Sequence, residues 1–512
     1  MKKTILTMLL ALVALMGQAI DERHFHSGTA VLKGRILNRP AGEEKTLSVH
    51  TYNHFTDEVR IVNMPVADDG RFEHVIPLDH SQSVRIVEMG DFLLLVGDTL
   101  EVTIDAAKEQ LDRLTFLGHN TSATINQLWP ALRAHYFGHK SLIIPSDQLA
   151  TWKPELVEYI DRIIADIQAD RLPLPAGTDP FVKEVLGASL LAEPFVAFGN
   201  YCHDNLYTKG TRVMGSLYDF LAGREQWLLD YPAMLFAVQD GHHVVNRVVM
   251  HMMPDYNFLK PSRVPGLRPD DQTGLYQAAS RYIQERYHLK STNLMQQIAL
   301  CWSVFREDHI DEDSSPDELA RLFSAAIPQI TNPIVAKMAL QRYRQYVISR
   351  EGQPVQTASM TPEADAIFNR IIAPYKGNVL KVDFWGIYCS PCKADILAER
   401  ERVESQKDLP VRYLYICDQK DSPRDRTEKW LQDNNVKGEH IYVTHEEWKL
   451  LSEKFQFNAP PFNTAVDENG TIITLNAFFN RVVELMQNRD IPMVSLTSSI
   501  TLTPTVSLSS PE

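Results

Sequence analysis

The stretch from Lys381 to Lys393 constrains the fold of this 512-residue chain more than any other, because it joins a short apolar run to a pair of cysteines. Val379 to Phe384 has the pattern of a buried strand, and Lys393 to Val403 has the composition of a helix. Cys389 and Cys392 lie between them at Cys-x-x-Cys spacing. The sequence therefore predicts a redox-active turn that leads from a strand into a helix.

The chemistry of this turn assigns different roles to the two thiols. A thiol in the first turn of a helix lies close to unsatisfied N–H groups and the positive end of the helix dipole, which favour its thiolate. Cys389 is therefore the predicted nucleophile, and the small Ser390 is expected to leave it exposed. Cys392 follows on the same turn and is the predicted resolving thiol. Pro391 suits the first turn, where its missing N–H costs nothing.

A family resemblance follows from these residues. Val382-Asp-Phe-Trp385 followed by Tyr388-Cys-Ser-Pro-Cys-Lys393 resembles the thioredoxin signature, and the surrounding sequence resembles the TlpA-like disulfide reductases of bacterial envelopes. The resemblance covers roughly 374–488. It implies a C-terminal α/β thioredoxin-like fold and a proton-accepting role for Asp383. Burial in the strand would raise the pKa of this carboxyl group. The alternative is a strand-end aspartate satisfied by solvent.

A second part of the resemblance concerns substrate binding. The segment from Phe457 to Gly470 is similar to the cis-proline loop of the family, followed by a strand and an Asn-Gly hairpin turn. The resemblance places the cis-proline at Pro461. It implies substrate contacts from four residues, Pro461, Pro460, Tyr388 and Trp385.

The sequence departs from the family pattern at three places. Tyr388 replaces a tryptophan, Gly386 replaces the usual alanine, and Ala459 and Pro460 precede Pro461 where glycine and a branched residue are common. These changes leave the redox chemistry intact. The family pattern therefore does not predict the shape of the substrate groove or the reduction potential of this chain.

No metal or other cofactor is predicted. A zinc half-site at Cys389 and Cys392 would need a second ligand pair at suitable spacing, and none is nearby in the sequence. His242, His243 and His251 lack a carboxylate at zincin spacing and are interpreted as structural.

The chain has five cysteines, an odd number that requires explanation in an oxidising compartment. Cys417 ends an apolar strand and is predicted to be a buried core thiol. Cys202 and Cys301 both lie in the helical region, where the sequence leaves open whether they form a structural disulfide or stay free.

The N-terminus has the pattern of an export signal. A basic start at Lys2 and Lys3 precedes the apolar stretch from Ile5 to Met16, which is too short to span a bilayer comfortably. Cleavage is predicted after Ala19, so 1–19 is a signal peptide and the mature protein is expected in the periplasm without a membrane span. The net charge of −14 argues against nucleic-acid binding.

The chain is expected to be multidomain. Short runs with β-strand character predict a β-sandwich at 27–120, and the segments 97–105 and 116–126 resemble the DUF4369-type N-terminal domain. An α-helical domain is predicted at 121–372, the thioredoxin-like domain at 373–490, and a Ser/Thr-rich tail, disordered or an added strand, at 491–512. The strands predicted in the sandwich are Thr29 to Leu37, Thr46 to Tyr52, Glu58 to Val66, Arg71 to Ile76, Val84 to Val87 and Thr99 to Ile104.

These features together predict an exported thiol-disulfide oxidoreductase. The resemblance favours a reductase of protein or peptide disulfides that a thiol electron donor in the membrane recharges. A disulfide oxidase or isomerase remains open, since the Ser-Pro dipeptide alone does not fix the potential. A binding or scaffold protein with a vestigial redox pair is a further alternative. A peroxidase is disfavoured because the Pro-x-x-x-Thr-x-x-Cys arrangement is absent before Cys389.

Overall fold

The chain divides into two compact units, one of residues 1–59 and 64–355 and the other of residues 60–63 and 356–512. The predicted signal peptide and the Ser/Thr-rich tail lie outside the described residues. No helix within the described ranges is both long and apolar enough to cross a membrane. The computed structural model describes residues 20, 24–39, 46–108, 112–138, 142, 144, 148–209, 220–239, 241–252, 266–268, 271–287, 293–305, 322–350, 362–457, 459–473 and 475–487.

The N-terminal part of the chain forms strands that belong to two four-stranded sheets. One sheet has the order β4-β1-β7-β8 and the other β3-β2-β5-β6. The six strands predicted from the sequence are all present, with ends that differ by at most two residues, whereas β6 and β8 were not predicted. The strands are β1 (Gly28–Leu37), β2 (Thr46–Tyr52), β3 (Val59–Pro65), β4 (Arg71–Leu78), β5 (Gln82–Ile86), β6 (Gly90–Leu94), β7 (Thr99–Asp105) and β8 (Leu114–Leu117).

Helices follow from residue 121 onward, as the sequence pattern predicted. The first of them is capped by Asn120, whose Oδ1 accepts a hydrogen bond of 2.8 Å from the backbone N–H of Ala123. The helices are α1 (Thr121–Phe137), α2 (Leu149–Gln168), α3 (Pro180–Lys209), α4 (Glu225–Leu228), α5 (Gly241–Met252), α6 (Gln272–Tyr287), α7 (Leu294–Phe305) and α8 (Pro333–Arg350), with short 3-10 helices at Pro232–Phe236 and Ile327–Gln329.

The helices of the first unit pack around an apolar core that a few residues of the strand region join. Phe25, Phe55 and Leu93 from the strand region pack in the same cluster as buried side chains of α1 to α8. Polar contacts also join them, since Trp302 Nε1 donates a hydrogen bond of 2.8 Å to the carbonyl of His54. The strand region therefore contacts the helical core through Phe25, Phe55 and Leu93.

The second unit alternates strands and helices around a five-stranded sheet of order β11-β10-β9-β12-β13. In the centre, β9 runs parallel to β10 and antiparallel to β12. The elements are α9 (Pro362–Ile372), a 3-10 helix (Ala373–Tyr375), β9 (Val379–Phe384), α10 (Ser390–Ser405), β10 (Val411–Asp418), α11 (Arg424–Asp433), β11 (Glu439–Val443), α12 (His445–Phe455), β12 (Phe462–Val466), β13 (Ile472–Ile473) and α13 (Leu475–Gln487).

Both faces of β9 are buried, which explains why its sequence is nearly continuous in apolar residues. Leu380, Val382 and Phe384 pack in one core cluster, with side chains of α9 and α12. Val379 packs in the other cluster, with side chains of α10 and α13. Because side chains alternate along a strand, the two charged residues of β9 lie on the same face as Val379.

The end of the sheet differs from the sequence prediction at one point. The sequence predicts a strand from Thr471 to Leu475, but β13 contains only Ile472 and Ile473, and Leu475 begins α13. The short strand is explained by its pairing, because β13 lies at the sheet edge and pairs only with Ala465 and Val466.

Candidate active site

The turn after β9 is held by hydrogen bonds to neighbouring segments. Phe384, the last residue of β9, lies opposite Ile416 of β10. The backbone N–H of Trp385 donates to the Ile416 carbonyl over 2.9 Å, and the N–H of Ile387 donates to Ser422 Oγ over 3.1 Å. The backbone that leads to the first cysteine is therefore fixed from the side of β10.

Cys389 and Cys392 form a disulfide across the start of α10, with their Cα atoms 5.3 Å apart. Cys389 is the N-cap residue of the helix, and its Sγ accepts a hydrogen bond of 3.2 Å from the backbone N–H of Cys392. A sulfur at this position faces the unsatisfied N–H groups of the first turn, which stabilise negative charge on it. The predicted strand-turn-helix arrangement is present.

The exposure of the first cysteine differs from the sequence prediction. Cys389 is only 6% exposed and Cys392 only 2%. The small side chain of Ser390 was expected to leave Cys389 open to solvent, but Cys389 belongs to the core cluster that also contains Trp385 and Ile387. The adjacent Tyr388, in contrast, is 55% exposed.

Pro461 lies directly before β12, at the end of the sheet where the cysteine turn begins. The peptide bond between Pro460 and Pro461 is cis, as the sequence predicted. Phe462, the next residue, lies opposite Phe384. Pro461 is exposed and Pro460 is partly buried, so this loop has surface available beside the turn.

The two aromatic residues of the turn have different environments. Trp385 is 1% exposed and packs against Trp430 with ring centroids 5.6 Å apart, which does not favour the predicted substrate contact. Tyr388 lies over Gly386, where an added methyl carbon would be 2.6 Å from Tyr388 Cε1. The two departures from the family pattern, Gly386 and Tyr388, are thus physically coupled.

Asp383 lies beneath the turn in a buried group of charges. Lys381 Nζ donates to both carboxylate oxygens of Asp383, over 2.9 and 3.1 Å. It also donates to both oxygens of Glu399 on α10, over 2.9 and 3.0 Å. All three side chains are buried, which contradicts the solvent-satisfied alternative for Asp383.

Burial and these neighbours shift the proton affinities of the group. Burial raises the pKa of Asp383 to about 6, against the attraction of Lys381, which lowers it. Burial alone would lower the pKa of Lys381, but Asp383 and Glu399 outweigh it and raise that pKa above its ordinary value. Asp383 is therefore a carboxylate at pH 7 that is able to take up a proton near neutrality.

The sequence interpretation assigned no role to Lys381, Glu399 or Arg402. Arg402 is buried, donates a hydrogen bond to Glu399 and lies 5.4 Å from the centroid of the Phe479 ring. One signal was present, since Lys381 and Asp383 are two residues apart in a buried strand and must share a face. A buried charged side chain needs an oppositely charged or hydrogen-bonding partner. Such partners are expected on the helix that packs against that face of the sheet.

A second contact between titratable side chains lies at the carboxyl ends of neighbouring strands. Oδ2 of Asp418, the last residue of β10, lies 2.5 Å from Nδ1 of His445, the first residue of α12. Asp418 Oδ1 accepts a hydrogen bond from the Lys420 N–H over 2.9 Å, and its carbonyl accepts one from the Ser422 N–H over 2.8 Å. Because Ser422 Oγ accepts a hydrogen bond from Ile387, these contacts of Asp418 stabilise the loop that supports the cysteine turn.

The remaining cysteines are free and buried. Cys417 lies in β10, where burial raises its pKa to about 12, as expected for a core thiol. Cys202 and Cys301 form no disulfide, which settles the alternative left open by the sequence. Of the residues whose positions are described, no cluster of three or more His, Cys, Asp or Glu could hold a metal ion, and the side chains of His242 and His251 lie outside that description.

No protein-family model matches the sequence, and no curated protein matches it. Solved structures similar to part of the chain include the thioredoxin domain of a thiol-disulfide oxidoreductase from Bacteroides vulgatus, a thiol:disulfide interchange protein from a Bacteroides species, and a thioredoxin-family thiol:disulfide interchange protein from Chlorobium tepidum. They are 19%, 19% and 16% identical to this chain, and each alignment covers 22% of it. The alignments cover 82%, 76% and 82% of those proteins, with TM-scores of 0.20, 0.20 and 0.19. Similarity at this level carries no argument about activity.

Proposed function

We propose that this chain is a thiol-disulfide oxidoreductase in which Cys389 and Cys392 are the reactive pair. The observation that carries the proposal is the disulfide at the start of α10, with Cys389 Sγ at the N-cap. A thiol in this position has a stabilised thiolate when reduced, and the second thiol is close enough to form the disulfide. Asp383 supplies a buried carboxylate on the face of β9 whose core cluster contains both cysteines.

The reaction is written in the reductive direction. The Cys389 thiolate attacks one sulfur of a substrate disulfide, which forms a mixed disulfide and releases the other substrate sulfur as a thiolate. Cys392 then gives its proton to the Asp383 carboxylate and attacks Cys389 Sγ. This step expels the second substrate thiolate and closes the Cys389–Cys392 disulfide, so two electrons pass from the pair to the substrate.

Finer assignments follow from the sequence resemblance and belong to the same proposal. We assign a thioredoxin-like fold to 373–490, within a TlpA-like reductase, and a DUF4369-like β-sandwich to 27–120, with an α-helical domain at 121–372. The protein would be exported to the periplasm after cleavage of 1–19. There it would reduce protein or peptide disulfides and be recharged by a thiol donor in the membrane.

The substrate would bind at the edge where the cysteine turn meets the proline loop. The accessible surface there is supplied by Tyr388, Pro460 and Pro461. The backbone before Pro461 would form hydrogen bonds with an extended substrate segment. Trp385 would act through packing, because it is buried.

A redox titration of the full-length protein tests the proposal. Quenched alkylation and intact mass are expected to show one reversible two-electron transition between five thiols and the three that stay buried. A reductase should have a midpoint near that of thioredoxin, about −270 mV, whereas an oxidase would lie nearer about −120 mV. Cys417→Ser, which removes a thiol outside the pair, should keep the wild-type midpoint. Absence of a reversible transition would favour the scaffold alternative.

Gly386→Ala is expected to raise the KM for a protein disulfide by roughly threefold, the scale of one aromatic contact, with little change in kcat. The added methyl group would displace the half-exposed Tyr388 ring towards solvent. Steady-state kinetics of the single and double variants measure this effect. In a Tyr388→Ala background the alanine at 386 should have no further effect. An equal effect in both backgrounds would show that Gly386 acts independently of Tyr388.

A further inference from the structure

The buried ammonium of Lys381 is shared between two carboxylates. It donates to Asp383 over 2.9 and 3.1 Å and to Glu399 over 2.9 and 3.0 Å, so neither acid holds it alone. We propose that Glu399 is a positioning residue that sets how tightly Asp383 holds a proton, by competing with it for Lys381. This inference rests on the proposed function, in which Asp383 receives the proton of the resolving thiol.

The competition is unequal in one respect. Glu399 has a second buried cation, because Arg402 also donates a hydrogen bond to it. Lys381 is the cation that contacts Asp383 directly in the described part of the site. A shorter contact between Lys381 and Glu399 therefore makes Asp383 more basic. If Glu399 lost its charge, Lys381 would pair with Asp383 alone and Asp383 would become less basic.

The other titratable groups around Asp383 come from two packed elements. Asp395 on α10 raises the proton affinity of Asp383, and burial raises the pKa of Asp395 itself. Tyr413 and Tyr415 of β10 lie opposite Lys381 and Asp383, and both phenols have raised pKa values because they are buried. These groups are neutral or acidic, so Lys381 and Arg402 supply the positive charge in this cluster.

The arrangement has a consequence for the resolving step. A carboxylate that held Lys381 alone would be a weaker base, because an adjacent cation stabilises its ionised form. Sharing the lysine keeps Asp383 ionised at pH 7 and still able to accept a proton there. Glu399 thus acts on the reaction through Asp383, without contact with the substrate.

The test is a titration of the Asp383 carboxyl group in the full-length oxidised protein. Carbon-13 NMR of aspartate-labelled protein follows it, and Asp383→Asn identifies the signal. Glu399→Gln is expected to lower the Asp383 pKa by about 1 unit, and Lys381→Met is expected to raise it by about 1 unit. General disruption of the core would not produce shifts in opposite directions. In a Lys381→Met background, competition predicts little further effect of Glu399→Gln, whereas direct repulsion between the two carboxylates would lower the Asp383 pKa in both backgrounds.

Folding of each variant is judged by circular dichroism and thermal melting, and Glu399→Gln tests the role of Glu399 directly. If Glu399→Gln fails to fold, Glu399→Asp, which keeps the charge on a shorter side chain, takes its place and should lower the Asp383 pKa by weakening the contact with Lys381. An unchanged or raised Asp383 pKa in folded Glu399→Gln would overturn the proposal, as would an unchanged or lowered value in folded Lys381→Met. The pH profile of disulfide exchange is the second measurement, and its acid limb should move with the titration. If the titration moves but the profile does not, the competition stands and the proton-transfer role in the proposed function fails.

Discussion

Replacing Cys389 with serine is expected to abolish disulfide exchange by the full-length protein, with a loss of at least about 10³-fold in turnover. A serine hydroxyl cannot form the mixed disulfide on which the reaction depends. Reduction of insulin disulfides by dithiothreitol, with and without the protein, measures the loss. In Cys392→Ser, Cys389 should still attack the substrate, but the mixed disulfide should not be resolved. A covalent substrate adduct on Cys389 should therefore accumulate and be visible by intact mass.

Cys417→Ser is the matched control for the cysteine variants. It makes the same exchange in the same unit, but at a thiol that is buried in β10 and whose pKa burial raises to about 12. Its turnover should stay close to that of the wild type. Retention of more than about a tenth of the activity in Cys389→Ser would place the nucleophile elsewhere and contradict the proposed reaction.

Raising the pH from about 5 to about 8 is expected to destabilise the first unit through Glu184. Glu184 lies on α3, is 7% exposed, and neither of its carboxylate oxygens has a hydrogen-bond partner in the described structure. Burial raises its pKa from 4.5 to about 8. The folded state therefore keeps a proton that the unfolded state releases.

The sign of the effect follows from this difference. Below pH 4.5 both states are protonated and Glu184 adds no pH dependence. Above pH 4.5 the free energy of unfolding falls by about 1.4 kcal/mol per pH unit until about pH 8. The free energy of unfolding should thus fall by up to about 5 kcal/mol across this range. Denaturation of the first unit by urea, followed between pH 5 and 8.5, measures the slope.

Glu184→Gln should remove most of this pH dependence, because glutamine has no proton to lose. Glu193→Gln is the matched control on the same helix. Glu193 is paired with Arg133 over 2.7 Å, so its loss should lower stability without flattening the pH slope. A wild-type slope in Glu184→Gln would mean that another group carries the pH dependence.

The elements with strong local patterns could be predicted from the sequence. The bounds of β9 are those predicted, because a run buried on both faces is apolar throughout except for its two charges. β6 was missed because it contains Gly90 and Asp91, which have low strand propensity, and its strand structure depends on pairing with β5. β8 has only four residues and lies at a sheet edge, so its local signal is weak.

In the site, too, some features could be predicted from neighbouring residues, whereas others depend on contacts between distant parts of the chain. The cysteine pair is signalled by its own spacing, whereas the cis bond at Pro461 and the role of Asp383 were implied by the family resemblance. Glu399 could not be predicted, because its contact with Lys381 depends on how α10 is rotated against the sheet. The burial of Cys389 likewise depends on packing with residues distant in the sequence, which the size of Ser390 does not determine.

The antiparallel pairing of β9 with β12 has a consequence for changes in chain length. Phe462 lies opposite Phe384, and this register alone brings the proline loop beside a cysteine turn that is far away in the sequence. One residue inserted within β12, with the rest of the strand held in register, would shift Pro461 by about 3.3 Å and send the side chains before the insertion to the opposite face. Insertions in the turn at 467–471 leave that register untouched. Variants of this protein can therefore differ in length in the turn after β12 and not within the strand itself.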